Sequence, residues 1–353
     1  MQHHHIHEAV NCTFQDIRNS DAPFGGLSVV FGGDFQQILP VIIKGSRPDI
    51  VNACMQRSHL WSSVTILHLQ QNMRLNIGLD EERAFAQWQL DGGHGRHTAA
   101  DGTVDLPASF PLPDNSLSAL INHIYPGIDQ HPLPGSQYFS SRAILSSRNS
   151  DVDEINQLIL NRFPGEESTF NSADSLLNNN PDSGQGELMY PVEYLNSINC
   201  SGLPLAKLKL KLGCPVMVLR NINAGEGVCN GSRGIVTQLG RHVIQIRLIT
   251  GDHAGTVIFV PRLKLSPSDT QIPFEFERRQ FPLRLCFAMT INKAQGQSLE
   301  HVGLDLRTPV FTHGQFYVAV SRVTSVHNIK AIWDPNVDNP VTKNIVYVEV
   351  LLN

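Results

Sequence analysis

Ile6, Val10, Phe14 and Ile17 recur at helical spacing and predict an amphipathic helix over residues 3–18. A turn at Asp21-Ala22-Pro23-Phe24-Gly25-Gly26 leads into an apolar strand, Leu27 to Phe31, that ends at Gly32-Gly33-Asp34. Helix, turn, strand and glycine-rich strand end make one α/β unit, and ligands of such sheets bind beyond the carboxyl ends of the strands. A second unit runs through Val64-Thr65-Ile66-Leu67 and a helix from Asp80 to Leu90. Residues 91–136, rich in Gly, Pro, His and Asp, read as a connection between domains. A third unit opens with Arg142-Ala143-Ile144-Leu145 and a helix starting near Asp151, and polar residues 164–202 read as a loop or a partly disordered insertion.

From about residue 204 the period changes to two. Lys207, Lys209 and Lys211 interleave with Leu208, Leu210 and Leu212, a half-buried strand with one charged face. Strand-like runs follow at Val216–Leu219, Gly234–Leu239, Val243–Ile249 and Val257–Leu263, separated by glycine-rich turns, which predicts a small β-barrel. From Leu283 the α/β character returns, so a β module interrupts an α/β domain.

Composition narrows the picture modestly. The 353 residues are 41% hydrophobic and 17% charged, room for two or three domains. No run approaches the ~20 apolar residues that a membrane helix needs. The net charge of −5 is neutral evidence on nucleic acid, since a basic groove can act as a local field. Six cysteines without a C-x-x-C pair read as reduced thiols of a nuclear or cytosolic protein. His3, His4, His5 and His7 could hold a metal, but with a helical continuation and no carboxylate or thiol completing a tetrahedral set they read as helix surface.

Four segments carry candidate chemistry. Gly32-Gly33-Asp34-Phe35-Gln36-Gln37 brings backbone and an amide to a strand end, where a ligand or merely a tight turn would suit it. Asn72-Met73-Arg74 follows an apolar strand, a position that usually holds a surface arginine. Thr290-Ile291-Asn292-Lys293-Ala294-Gln295-Gly296-Gln297-Ser298 sets a hydroxyl, an ammonium and an amide where a phosphate backbone could be contacted without reading sequence. In Tyr317-Val318-Ala319-Val320-Ser321-Arg322 the arginine ends a buried helix, suited to an arginine finger or to an interdomain salt bridge.

The order GDFQQILPV, NMR, TINKAQGQS, YVAVSR resembles the later motifs of superfamily-one helicases, and most closely the Pif-one-like family with its Helitron-type relatives. PFGG at 23–26, GCPVMVLRN at 213–221, GVCNGSRGIV at 227–236 and VIFVPRLKLSPSD at 257–269 extend the resemblance over all but the variable 91–136 and 164–202. It implies two RecA-like P-loop NTPase domains, the first truncated, with an inserted Src-homology-3-like barrel. The expected division is 1–120 as the remnant of the first, 121–220 and 281–353 as the second, and 221–280 as the barrel. Gln37 would link the γ-phosphate to the DNA track, with Gly33 and Asp34 beside the nucleotide. Arg74 and Arg322 would reach the γ-phosphate and face one another across a cleft. Thr290, Lys293, Gln295 and Gly296, with Arg148 and Asn149, would contact single-stranded DNA. Asn292 departs from the family, where many members carry His.

The implied activity is an ATP- and Mg²⁺-dependent 5′-3′ DNA helicase acting on single-stranded and forked DNA in repair, recombination and telomere maintenance. A monomer is expected, nuclear or else mitochondrial, and not membrane-bound. The sequence has no Gly-Lys dipeptide, so no G-x-x-x-x-G-K-[ST] loop, and Asp80-Glu81-Glu82 and Asp153-Glu154 open helices rather than ending strands. In the family an Asp-Glu-Ala-Pro box precedes the helix that begins this chain, so the resemblance implies an N-terminal truncation just past that box and a chain inactive alone. A non-enzymatic single-stranded-DNA-binding fragment is the alternative, and a metal- or substrate-binding α/β enzyme using the histidines a third.

Overall fold

The computed structural model describes residues 1–69, 72–73, 80–177, 190–200, 202–267, 272 and 274–352. They form two compact units: Met1–Leu117 with Ala294–Glu300 and Leu304–Asn353, and Ser118–Lys293 with His301–Gly303. No helix of the described residues is long and apolar enough to cross a membrane.

In the first unit the amphipathic helix spans His4–Arg18 and ends at Asn19 in the left-handed region (φ 46°), which a short amide side chain tolerates. Buried Asn11 accepts the Phe24 amide at 2.7 Å and so ties the helix to the turn Pro23–Gly26. Gly25 is required there: its φ is +61° and a Cβ would lie 2.5 Å from the Phe14 carbonyl oxygen. The expected strands Leu27–Phe31 and Val64–Leu67 do not form, and Val30 and Leu67 are 95% and 87% exposed. An apolar run becomes a strand only beside a neighbouring backbone, and no described residue pairs with either segment.

Helix Asp80–Gly93 does form, with Asp80, Glu81 and Glu82 complementing its N-terminal dipole. Helix Gln315–Val320 packs on it: Trp88 meets Phe316 edge-on, and the Gln89 amide donates to the Val320 carbonyl at 2.7 Å. Strand Thr103–Asp105 pairs antiparallel with Val341–Lys343, and the Ala331 amide donates to the Phe110 carbonyl. These contacts group 304–353 with residues 1–117.

In the second unit Ala288–Thr290 runs parallel to Arg142–Ser146, with Thr290 opposite Ser146, and His301–Gly303 continues the sheet on the other side of that strand. Helix Asn149–Arg162 buries Val152, Ile155, Ile159 and Leu160. Its buried Asn156 brackets the Ala288 peptide, accepting the amide at 2.8 Å and donating to the carbonyl at 3.1 Å. The period-two segment forms a five-stranded antiparallel sheet in the order Leu283–Leu285, Pro215–Val218, Arg233–Leu239, Val243–Leu248, Val257–Pro261.

Two expectations are corrected in this unit. Residues 164–202 are not simply a loop: Ser168–Asn171 pairs with Lys207–Leu210, Ala173–Leu176 pairs with Phe276–Gln280, and Val192–Ser197 is helical. A fully buried ion pair, Arg278 with Asp174 at 2.7 Å, draws this polar segment inward. Lys211 is buried rather than part of a charged face, its ammonium donating to the Phe163 carbonyl at 2.6 Å.

Candidate functional site

The turn after Gly33 is built by Asp34. Its carboxylate accepts the Gln36 amide at 3.0 Å and its carbonyl accepts the Gln37 amide at 3.1 Å. Gly33 is exposed, and a Cβ there would meet nothing within 4 Å, leaving open space for a ligand to approach its backbone. Behind the turn stands Gly314, at φ +72°, where a Cβ would lie 2.6 Å from the Gln37 carbonyl carbon. Buried His313 completes the support. Its Nε2 bonds the Phe35 carbonyl at 2.8 Å and its Nδ1 accepts the Tyr347 amide at 2.7 Å, a pattern that only the neutral Nε2–H tautomer satisfies. Burial pushes its pKa below the ordinary histidine value.

Gln37 stands in the middle of a short relay. Its amide N–H donates to Asp34 Oδ2 at 3.1 Å, and its amide oxygen accepts from the Gln295 amide at 2.9 Å. Two segments proposed from sequence to sense nucleotide and nucleic acid are thus joined by a direct hydrogen bond. Beside Gln295, Gly296 adopts φ +81°.

Arg322 lies in the same unit and is 4% exposed. Its guanidinium donates to the carbonyls of Val318 at 2.8 Å, Gln297 at 2.9 Å and Ala294 at 3.3 Å, and to Ser321 Oγ at 2.8 Å. It clamps the turn that carries Gln295 and Gly296. Arg74 lies outside the described residues, so the expected pairing of Arg74 with Arg322 has no geometry to report.

The other candidates fall in the second unit. Arg148 is the exposed N-cap of helix Asn149–Arg162. Asn149 Oδ1 accepts from Arg284 at 2.9 Å, and Arg284 also binds Asp153 at 2.6 Å. Thr290 ends its strand half-buried, followed by the 3-10 turn Ile291–Ala294. The Lys293 ammonium donates to Asn230 Oδ1 at 2.8 Å. Burial, aided by the like charges of Arg220 and Arg284, lowers its pKa below that of an ordinary lysine. Arg220, Arg284 and Asn230 escaped the residue-level reading. Arg220 and Asn230 lie within two of the quoted segments, GCPVMVLRN and GVCNGSRGIV, but nothing in the sequence alone places them around Lys293.

Residues 1–103 match the family model for PIF1-like helicases, and residues 193–239 match that for the 2B domain of DNA helicase Pif1. The human ATP-dependent DNA helicase PIF1 is 28% identical over 337 residues, covering 90% of this chain and 43% of its own length. The chain therefore spans less than half of that relative. Among solved structures, a Bacteroides Pif1 helicase in complex with ADP-AlF3 and single-stranded DNA superposes at a TM-score of 0.63 with 22% identity, over 97% of this chain and 69% of that one. The Pif1 helicase of Candida albicans superposes at 0.60 with 21% identity, over 99% and 73%. These structural likenesses establish the shared mixed α/β fold with its parallel sheet.

Proposed function

We propose that this chain, matched by the PIF1-like helicase model over 1–103 and the Pif1 2B-domain model over 193–239, is a PIF1-like helicase chain that supplies the DNA-track and coupling half of an ATP-dependent 5′-3′ DNA helicase. The supporting observation is the relay Gln295–Gln37–Asp34, at 2.9 and 3.1 Å. A γ-phosphate arriving at Gln37 competes for the same amide. Gln37 can turn toward phosphate only by releasing or dragging Gln295, so the nucleotide state is transmitted to the turn that Arg322 holds. Arg322 can assist at phosphate only by giving up carbonyl partners, which makes it a second coupled element. Arg74 is assigned to the γ-phosphate on the resemblance alone.

The track is assigned to Arg148, Asn149, Thr290, Lys293, Gln295 and Gly296. Cations, amides and a hydroxyl contact phosphate and sugar without reading bases, which suits a motor that moves along any sequence. The substrates are single-stranded and forked DNA, in repair, recombination and telomere maintenance, and the protein acts as a nuclear or mitochondrial monomer. The division into RecA-like parts at 1–120, 121–220 and 281–353 with a barrel at 221–280 belongs to the same reading, the antiparallel sheet supporting the barrel.

The residues present fit one side of a nucleotide. Gly33, Asp34 and Gln37 suit its terminal phosphate, but residues 1–353 contain no Gly-Lys dipeptide for a phosphate loop, and the acidic runs Asp80-Glu81-Glu82 and Asp153-Glu154 lie in helices. Without those groups most of the transition-state charge stabilisation is missing. The chain alone therefore binds single-stranded DNA and hydrolyses ATP negligibly, the reading of a non-enzymatic DNA-binding fragment. Anisotropy titration with labelled single-stranded oligonucleotides, beside DNA-stimulated ATP turnover, tests both halves. Absence of salt-dependent binding removes the track assignment, and turnover comparable to a complete helicase removes the claim about the missing groups.

A further inference from the structure

The histidine cluster at the head of the first helix is untouched by this function. The structure gathers His3, His4 and His5 so that one ligand atom from each lies within 4.8 Å of the others. Their ring centroids stand 4.7, 4.3 and 4.2 Å apart. Neutral imidazoles are the form that coordinates metals.

A carboxylate supplies the outer support that metal-binding histidines ordinarily have. His4 Nδ1 lies 2.9 Å from Glu8 Oε1, one helical turn on. The same oxygen accepts from the hydroxyl of buried Ser58 at 2.6 Å and lies 3.3 Å from His59 Nδ1. With Nδ1 hydrogen-bonded to that carboxylate, His4 presents its Nε2 lone pair as the ligand atom. The His4 backbone is fixed by its amide donating to the Ala53 carbonyl at 3.0 Å. His3 is the adaptable member: its Nδ1 accepts the His5 amide at 3.2 Å, a contact it can exchange for a metal bond. Two nitrogens bound tetrahedrally to zinc stand about 3.4 Å apart, given bonds of about 2.1 Å, so rotamer adjustment suffices.

We propose that His3, His4 and His5 bind one zinc-class divalent transition-metal ion, with Glu8 orienting His4 from the outer shell. Glu8 need not complete the set, since three imidazoles and a solvent ligand make an open four-coordinate site, and imidazole donors select zinc, copper or nickel over magnesium. The proposal is independent of the helicase reading.

The test titrates the metal-stripped full chain with Zn²⁺ by calorimetry and with Co²⁺ by visible absorption. One ion per chain is expected, with intense tetrahedral cobalt bands. His4→Ala and His5→Ala each weaken affinity at least tenfold, and Glu8→Ala weakens it by about 10–100-fold. His7→Ala leaves affinity unchanged, because the His7 ring stacks edge-on to Phe31 at 5.2 Å and is outside the cluster. Circular dichroism checks that each variant folds, and His5 is exposed, so at least that variant keeps the test open if His4→Ala misfolds. The proposal is overturned if no ion binds, if Glu8→Ala binds as tightly as the unmodified chain, or if His7→Ala loses as much as His5→Ala, the behaviour of an unstructured histidine run.

Discussion

Gln295 donates a hydrogen bond to Gln37 across 258 positions of sequence, at 2.9 Å. Both side chains are half-buried, so the bond is partly shielded from water. Neutral bonds of this kind contribute about 0.5–1.5 kcal/mol net. A double-mutant cycle with Gln37→Ala and Gln295→Ala should return a coupling energy in that range from chemical denaturation. In a chain equipped with a phosphate loop, either single change should also reduce the stimulation of ATP turnover by DNA more than it reduces basal turnover. Additive stability effects, with stimulation intact, would dissolve the relay.

The Lys293 cluster makes a salt-dependence prediction. Each phosphate contact on a single strand contributes about 0.7 to the slope of log affinity against log salt. Lys293→Ala and Arg220→Ala should each flatten the slope by about that amount and weaken binding alike on different oligonucleotide sequences. Arg148→Ala should behave the same way if the exposed helix N-cap lies on the track. Unchanged slopes would move the track elsewhere.

Much of the second unit is legible in sequence because its signals are local. The continuous run Ala143–Leu145 predicts a strand buried on both faces, the alternation at Val243–Leu248 a strand buried on one, and the structure has both. What escaped is set by distant partners. Leu27–Phe31 has the composition of a strand but pairs with no strand among the described residues, and Ser168–Asn171 looks polar yet forms a strand because Lys207–Leu210 lies beside it. At the site, Gln37 and Gln295 are legible as motif members, but the bond joining them is not. His313 carried no signal at all: one histidine between Thr312 and Gly314 gives no hint that two backbone groups converge on its ring.

The Arg278–Asp174 pair offers a large stability effect. Both side chains are fully buried, and Arg278 further donates to the carbonyls of Leu195, Pro204 and Ile198. Asp174→Ala leaves a buried guanidinium without its counter-charge and should cost about 3–5 kcal/mol in chemical denaturation. The double change to apolar residues of similar volume should recover most of that loss. Equal destabilisation by the single and double variants would show that packing, not charge, dominates here.

His313 makes the site sensitive to acid. Its folded-state pKa lies below the ordinary value of 6.5 because burial disfavours the cation, and a protonated ring could not accept the Tyr347 amide. Above about pH 6.5 the ring is neutral in both folded and unfolded chains, so its contribution to stability is constant. As pH falls below that value the unfolded chain takes up the proton first, and stability declines until the folded-state pKa is reached. Unfolding free energy measured between pH 7.5 and 5 should therefore fall more steeply for the unmodified chain than for His313→Gln, which cannot titrate. Because the ring holds the Phe35 carbonyl, acid should loosen the Asp34–Gln37 turn as well, read as faster amide exchange at Gln36 and Gln37 below pH 6. Parallel pH profiles for the two proteins would exclude His313 as the titrating group.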